Sequence, residues 1–321
     1  MNYRRLGRLG WQVAEIGFGT WGMGGWSGSD DDSSRAALRR ALESGCNFLD
    51  TALAYGDGRS ERLIRDVLAD WTGARPIIAT KIPPKNGRWP ARGSTPLDAA
   101  FPPDYIREAT ERSLTNLGVT EVDLQQFHVW SDTWADDDRW VRAAAALKDE
   151  KLVRGIGISL NRWEPTNVVK ALRTGIVDAV QVVYNIFDQA PEDELFSVCR
   201  ELDIAIIARV PFDEGSLTGT MTVNDTWPKG DWRNLYFTPA NLRETLARVD
   251  RLMADIPAGL SLPEAALRFT LHDPLVSTVI PGMRTVAHVD RNLAAGDGRP
   301  FPAALLDALR RHRWDRTAEI P

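Results

Sequence analysis

Short apolar runs alternate along this chain with longer stretches in which apolar residues fall on a helical period. The runs at 15–18, 47–49, 76–80, 122–127, 153–158, 179–183, 204–208 and 276–280 are rich in Val, Ile, Leu and Phe and bounded by turn-forming residues, which predicts eight strands. Residues 33–44 read as a helix: Leu38 and Leu42 share a face, Ser33 or Ser34 can cap its start, and Gly45 can take the left-handed conformation that ends it. The stretches 59–69, 104–117, 136–148, 164–173, 192–202, 241–254 and 286–294 supply further crossover helices. Strict alternation implies a parallel sheet, and eight units in 321 residues fit a closed α/β barrel, the (β/α)8 TIM barrel, better than an open doubly wound sheet. No linker or low-complexity stretch divides the chain, so a single domain over 1–321 is expected. Ahead of the first strand, residues 3–13 predict a hairpin whose Leu6, Leu9 and Val13 can plug one end of the barrel.

An open dinucleotide-binding sheet would carry G-x-G-x-x-G directly after its first strand and an acidic residue about twenty positions on. The glycines of GFGTWGMGGW do not follow that spacing, and Trp21, Met23 and Trp26 make the segment read as the wall of a wide pocket.

Composition narrows the partners. With 43% apolar and 26% charged residues the chain can bury a large core, and a net charge of -5 without a basic cluster argues against nucleic acid. No apolar run approaches the ~20 residues that span a bilayer. The start, MNYRRLGRLGWQ, lacks the apolar core of a signal peptide, so a cytoplasmic location with no membrane partner is expected. Cys46 and Cys199 lie in apolar surroundings without metal-type spacing and read as reduced packing residues, with no metal expected. Nothing in the residues bears on oligomeric state.

Four polar residues stand at the ends of three of the apolar runs: Asp50 and Tyr55 in NFLDTALAYG, Lys81 in IIATK and His128 in DLQQFH. A barrel gathers successive strand ends on one rim, which would bring all four together. Tyrosine, with an ordinary pKa near 10, is a poor acid at neutral pH unless a cation stabilises its phenolate. Lys81 can be that cation and is expected to draw Tyr55 toward neutrality, with Asp50 holding the ammonium charged. His128 can donate a hydrogen bond to a substrate oxygen or assist the proton relay. Such a group offers a proton and an electrostatic cradle but no nucleophile or electron source, so a hydride must come from a bound cofactor. Any one of the four alone is as well read as an ordinary satisfied polar residue; their joint order at strand ends carries the catalytic reading.

The segments NFLDTALAYGDGRSERLIRDVL, ATK, QFH, GIGIS, QVVYNIF, EGSLTG and IPGMRTVAHVDRNLAA, in this order, resemble the aldo-keto reductase family over nearly the whole chain. The resemblance implies an eight-stranded barrel that reduces aldehydes or ketones with NADPH, with Tyr55 as general acid, Lys81 and Asp50 as its tuning pair and His128 orienting the substrate. It also implies that Thr20 and Trp21 approach the cofactor, that Ser159 and Gln181 hydrogen-bond the nicotinamide amide, and that Asp50 touches the nicotinamide ribose. Where the family often has Asn directly after the serine, Leu160 intervenes and Asn161 follows, so Asn161 is the expected substitute. Where an aromatic ring usually stacks on the nicotinamide, Arg209 stands; a guanidinium stacks by its planar face, and its charge disfavours the cationic oxidised ring, which points to reduction.

Phosphate sites in such barrels form after strands seven and eight at a helix start. Gly282 lets the backbone approach there, and Arg284 supplies charge for a 2′-phosphate, which favours NADPH/NADP+ over NADH. Asn292 matches an adenine contact of the family, while His288 stands where Gln is common and Arg291 where Glu is common.

The long connections 82–103 and 212–239, with Trp89 and Trp232, together with Trp26 and Trp130, are expected to wall an apolar substrate pocket for an aromatic or otherwise hydrophobic carbonyl or the face of a sugar ring. Two other readings use the same fold: a dehydrogenase oxidising sugars or alcohols, and a cofactor-binding regulatory subunit with little turnover.

Overall fold

The computed structural model describes residues 1–26, 28–299 and 301–316. Strands β1 (Tyr3–Leu6) and β2 (Trp11–Ala14) form an antiparallel hairpin. The next eight pair in parallel in strict chain order: β3 (Phe18–Gly19), β4 (Phe48–Asp50), β5 (Ile77–Ile82), β6 (Val122–Phe127), β7 (Val153–Ser159), β8 (Ala179–Val183), β9 (Ala205–Arg209) and β10 (Val276–Val279). The ring closes between its first and last strands, where Gly17 N donates to Val279 O at 2.8 Å and Gly19 N to Pro281 O at 3.1 Å. The barrel expectation holds.

Alternation along the strands sorts the barrel interior into layers. Phe48, Ala79, Leu124, Ala179, Ala205 and Ile207 form a buried apolar floor with Leu6 and Val13 of the hairpin, and Leu9 packs against it, so the hairpin is the plug the pattern predicts. Its attachment is polar: Arg4 ion-pairs with Glu15 at 3.1 Å and donates to the carbonyls of Leu271 (2.7 Å), Asp273 (3.1 Å) and Val276 (3.0 Å). Outward strand residues and the inner faces of the helices make the larger core.

Several boundaries differ from expectation for local reasons. The helix placed at 33–44 starts at Asp31, because the Asp30 carboxylate, and neither serine, accepts from Ser33 N at 2.7 Å. It ends as expected, with Gly45 at φ +89°. Residues 164–168 form turns behind Trp163, itself at φ +61°, and the helix begins only at Val169. A helix over Leu262–Leu271 went unpredicted, as did one over Ala303–Arg310. Cys46 and Cys199 are free and buried, and burial pushes each thiol up to about 12, which fits inert packing. Among the described residues no helix is long and apolar enough to cross a membrane.

Candidate active site

One step of two residues along each strand leads from the apolar floor to a polar layer. Phe48 gives way to Asp50, Ala79 to Lys81, Leu124 to Gln126, Ala179 to Gln181 and Ile207 to Arg209, and His128 continues the inward register of β6. The period-2 pattern therefore sets floor and site together.

Lys81 is wholly buried and donates to Asp50 Oδ2 at 2.6 Å and to the Thr51 carbonyl at 2.8 Å. The other Asp50 oxygen accepts from Gln181 at 2.7 Å and more distantly from Gln126 at 3.4 Å. Asp50 is thus fixed by three side chains on three strands. The Lys81 ammonium stands over the Tyr55 ring, 5.2 Å from its centroid, and the ring of His128 meets Tyr55 edge to face at 5.7 Å. Sequence residues almost eighty positions apart share one pocket, as the strand-end argument requires.

Electrostatics correct one expectation. Burial, and after it the charge of Asp50, pushes the Tyr55 phenol above its ordinary value, while Arg209 is the cation that opposes them. The Tyr55 phenol therefore keeps its proton across the neutral range and is not drawn toward neutrality. Burial lowers the Lys81 ammonium against the pull of Asp50. Burial also holds His128 well below the ordinary imidazole value, helped by Lys81 and Arg209, so it is neutral, and its Nδ1 is buried without a hydrogen-bond partner.

The residues expected at a cofactor divide into groups. Ser159, at the end of β7, and Gln181, in the middle of β8, are cross-strand partners. Gln181 spends its Nε2 on Asp50 and, weakly, on Gln126, leaving Oε1 to accept. The Thr20 hydroxyl donates to the Asp50 carbonyl at 2.9 Å and accepts from Ser60 at 2.7 Å, while Trp21 packs on Trp26 at 4.9 Å. Arg209 donates to the Leu160 carbonyl at 2.8 Å, and its buried Nε has no partner; burial and the neighbouring Arg162 bring this guanidinium down to about 10. Asn161 behaves differently. Its amide accepts from Ala91 N at 3.2 Å and donates to the carbonyls of Trp130 and Ala91 and to Glu164, so as placed it ties loops together.

After β10, Gly282 is exposed, with open space where a Cβ would stand, and Thr285 caps the helix Val286–Ala294 by accepting from His288 N at 3.3 Å. Arg284 crosses the Trp21 ring at 5.8 Å, and a Cβ on Gly22 or Gly28 would meet its guanidinium end at 2.8 Å. The glycine-rich segment is thus a collar for Arg284 as well as a wall. Asn292 is buried on the inner face of the same helix, and burial lowers the half-buried His288, with Arg291 and Arg284 adding to it.

Of the four tryptophans expected around a substrate, two flank the tetrad. Trp26 lies 6.0 Å from the Tyr55 ring, and the exposed Trp89 meets His128 edge to face at 4.6 Å. Trp130 is a correction: it is wholly buried among Phe127, Trp134 and Trp140, with ring centres 4.8–5.6 Å away, and packs the core. Trp232 is a second correction, since it belongs to a separate cluster with Tyr236 and with Arg162, whose guanidinium lies 5.3 Å from its ring. The sequence reasoning missed Arg162 and its ion pair with Glu214, two residues far apart in the chain that no spacing rule connects. It missed Glu61 too, buried between Thr80 (2.6 Å) and Asn116 (2.9 Å), although Glu61 lies within the segment that follows Tyr55.

The profile of the Aldo/keto reductase family matches residues 15–313. The oxidoreductase YqkF of Bacillus subtilis is 29% identical over 97% of this chain and 96% of its own length. The NADH-specific methylglyoxal reductase of Escherichia coli is 27% identical over 90% of this chain and 92% of its own. Among solved structures, the glycerol dehydrogenase AKR11B4 from Gluconobacter oxydans superposes with a TM-score of 0.78 at 25% identity, covering 97% of this chain and 94% of that one.

Proposed function

The chain belongs to the aldo-keto reductase family of oxidoreductases, and on that premise we propose that it reduces an aldehyde or ketone to an alcohol, with NADPH as hydride donor and Tyr55 as general acid. The observation that carries this reading is the buried Lys81–Asp50 pair at 2.6 Å beneath the Tyr55 ring, with the phenol kept protonated. The residues present fit a nicotinamide dinucleotide: Ser159 and Gln181 Oε1 would hold the carboxamide, the unpartnered edge of Arg209 would lie at the ring, and Gly282, the helix start and Arg284 would take the phosphates. The bound nicotinamide supplies the hydride. Tyr55 gives its proton to the carbonyl oxygen, neutral His128 orients that oxygen, and Lys81, anchored by Asp50, stabilises the phenolate left behind.

Trp26 and Trp89 flank Tyr55 and His128, which favours an aromatic or otherwise hydrophobic carbonyl or a sugar face. The cation of Arg209 favours the neutral reduced ring and hence reduction. A second reading, oxidation of an alcohol or sugar, draws support from the Gluconobacter neighbour, a glycerol dehydrogenase. Rates with NADPH and NADH across a carbonyl panel, with NADP+ and alcohols alongside, test both. Wild-type protein that binds dinucleotide yet shows no turnover sensitive to Tyr55→Phe would overturn the assignment.

A further inference from the structure

Arg316 is far from the tetrad in sequence, yet it enters the loops at the mouth of the barrel. Its side chain is 6% exposed, ion-pairs with Asp213 at 2.9 Å and with Asp188, and hydrogen-bonds the Tyr236 hydroxyl. Asp188 follows β8 and Asp213 follows β9. The guanidinium lies over Trp314 at 4.6 Å and Trp163 at 5.4 Å, and Trp314 N in turn donates to the Phe187 carbonyl at 2.8 Å. From the loop after β7, Arg162 pairs with Glu214 and stacks 4.8 Å from the Tyr236 ring. Two arginines therefore cross-link the loops of three adjacent barrel strands, and one of them comes from the tail.

The segment they hold is strained. Val210, Asp213 and Glu214 have φ of +58°, +42° and +57°, followed by Gly215 at +112°. A left-handed backbone costs a non-glycine residue roughly 1–2 kcal/mol and is a true outlier for β-branched valine. Such conformations persist where the surroundings over-determine them. Here Asn185 donates to the Val210 carbonyl at 3.0 Å, and Asp213 accepts from Tyr236 and Ser216 at 2.9 and 2.8 Å as well as from Arg316. Without Arg316, Asp188 and Asp213 would be neighbouring buried carboxylates that have lost their ion-pair partner, an arrangement that favours opening of a loop or binding of a proton.

Loops after strands seven and eight build the phosphate site of such barrels, and residues 210–215 lie in the first of them. We propose that Arg316 is a positioning residue for the dinucleotide: by neutralising Asp188 and Asp213 from the chain's tail it holds the strained 210–215 segment in place, and so sets how long the cofactor stays bound. The proposal rests on the dinucleotide reading above. It makes cofactor retention depend on a residue that touches neither cofactor nor substrate.

The test is stopped-flow and equilibrium fluorescence of NADPH binding to wild type, Arg316→Met and Arg316→Lys, with thermal midpoints measured in parallel. For Arg316→Met the expected result is a dissociation rate and Kd raised about tenfold or more, as for a buried charge pair losing one partner. KM for the carbonyl and kcat should hold, and Arg316→Lys should recover part of the affinity. If Arg316→Met does not fold, Asp213→Asn/Arg316→Gln removes charge from both sides and leaves only Asp188 unpaired, so a smaller rise of Kd in the same direction is expected. An unchanged Kd with a lowered thermal midpoint, or failure of both variants to fold, makes Arg316 a fold residue and overturns the proposal. Wild-type protein that binds neither NADPH nor NADH takes down the dinucleotide reading as well, whereas bound cofactor with unaltered affinity in the variants sinks the role of Arg316 alone.

Discussion

The ammonium of Lys81 faces the Tyr55 ring, 5.2 Å from its centre, while its hydrogen bonds go to Asp50 and Thr51. The cation therefore acts on the tyrosine through the ring face, and the phenol itself stays neutral because burial and Asp50 disfavour its ionised form.

A pH profile follows from that arrangement. Tyr55 is raised above its ordinary value near 10, so its proton is retained through neutral and mildly alkaline solution, and with Tyr55 as the proposed acid reductive kcat should be flat from about pH 6 to about pH 9. An alkaline fall reached before tyrosine titrates belongs to Lys81, whose value burial lowers. Initial rates against pH check this, and a decline centred near neutrality would contradict it.

Removing the cation should cost stability as well as rate. Lys81→Met leaves Asp50 buried and unpaired, for which about 3–5 kcal/mol of destabilisation is expected. Asp50→Asn/Lys81→Met, which removes both charges, should recover much of it. Urea unfolding of the two variants decides the point.

His128 supplies an acid-side signature. Its folded value lies well below 6.5, so the unfolded chain binds more protons as pH falls below that value, and the folded state loses stability from there downward. Denaturation midpoints should drop between pH 7 and pH 5, and His128→Asn should flatten part of that slope.

Arg284 should discriminate between dinucleotides. Its charge stands beside the capped start of the Val286–Ala294 helix, so Arg284→Ala should weaken NADPH about tenfold, the order of one charge-assisted hydrogen bond, while NADH changes little. Fluorescence titration with both compounds measures the ratio; equal losses would remove Arg284 from the 2′-phosphate.

The tryptophans separate by position. Trp130→Ala empties a fully buried ring cluster and should cost about 3–5 kcal/mol. Trp89→Ala, at a ring that is 48% exposed over His128, should leave stability nearly intact and change KM among aromatic and aliphatic carbonyls. Unfolding curves and a substrate series read the two effects separately.

What was legible before the structure follows one rule. The period-2 register that puts Phe48, Ala79 and Leu124 on the floor also puts Asp50, Lys81 and Gln126 above them, so the fold and the meeting of the tetrad could be read from strand patterns. The helix Leu262–Leu271 was readable too: Ser261 and Glu264 form the start of a capping box, with Ser261 accepting from Glu264 N at 3.3 Å. Other features had no local signal. A tryptophan on a loop looks the same whether it lines a mouth, as Trp89 does, or turns into the core, as Trp130 does. The Arg162–Glu214 pair and the hold of Arg316 on Asp213 join positions 52 and 103 residues apart through tertiary packing, and the upward push on Tyr55 comes from burial, which no spacing reveals.

The hairpin that floors the barrel bears on the order in which its elements can assemble. Arg4 in β1 finds its carbonyl partners only at Leu271, Asp273 and Val276, and Gly17 meets Val279, so the hairpin and the first barrel strand are fastened by residues around β10. The hairpin therefore waits for β10, and with contacts of such sequence separation the first strands are not expected to fold ahead of the last. A nascent or truncated chain stopping short of β10 would leave both the floor unfastened and the ring open, and so would expose at once the apolar layer on which the site is built.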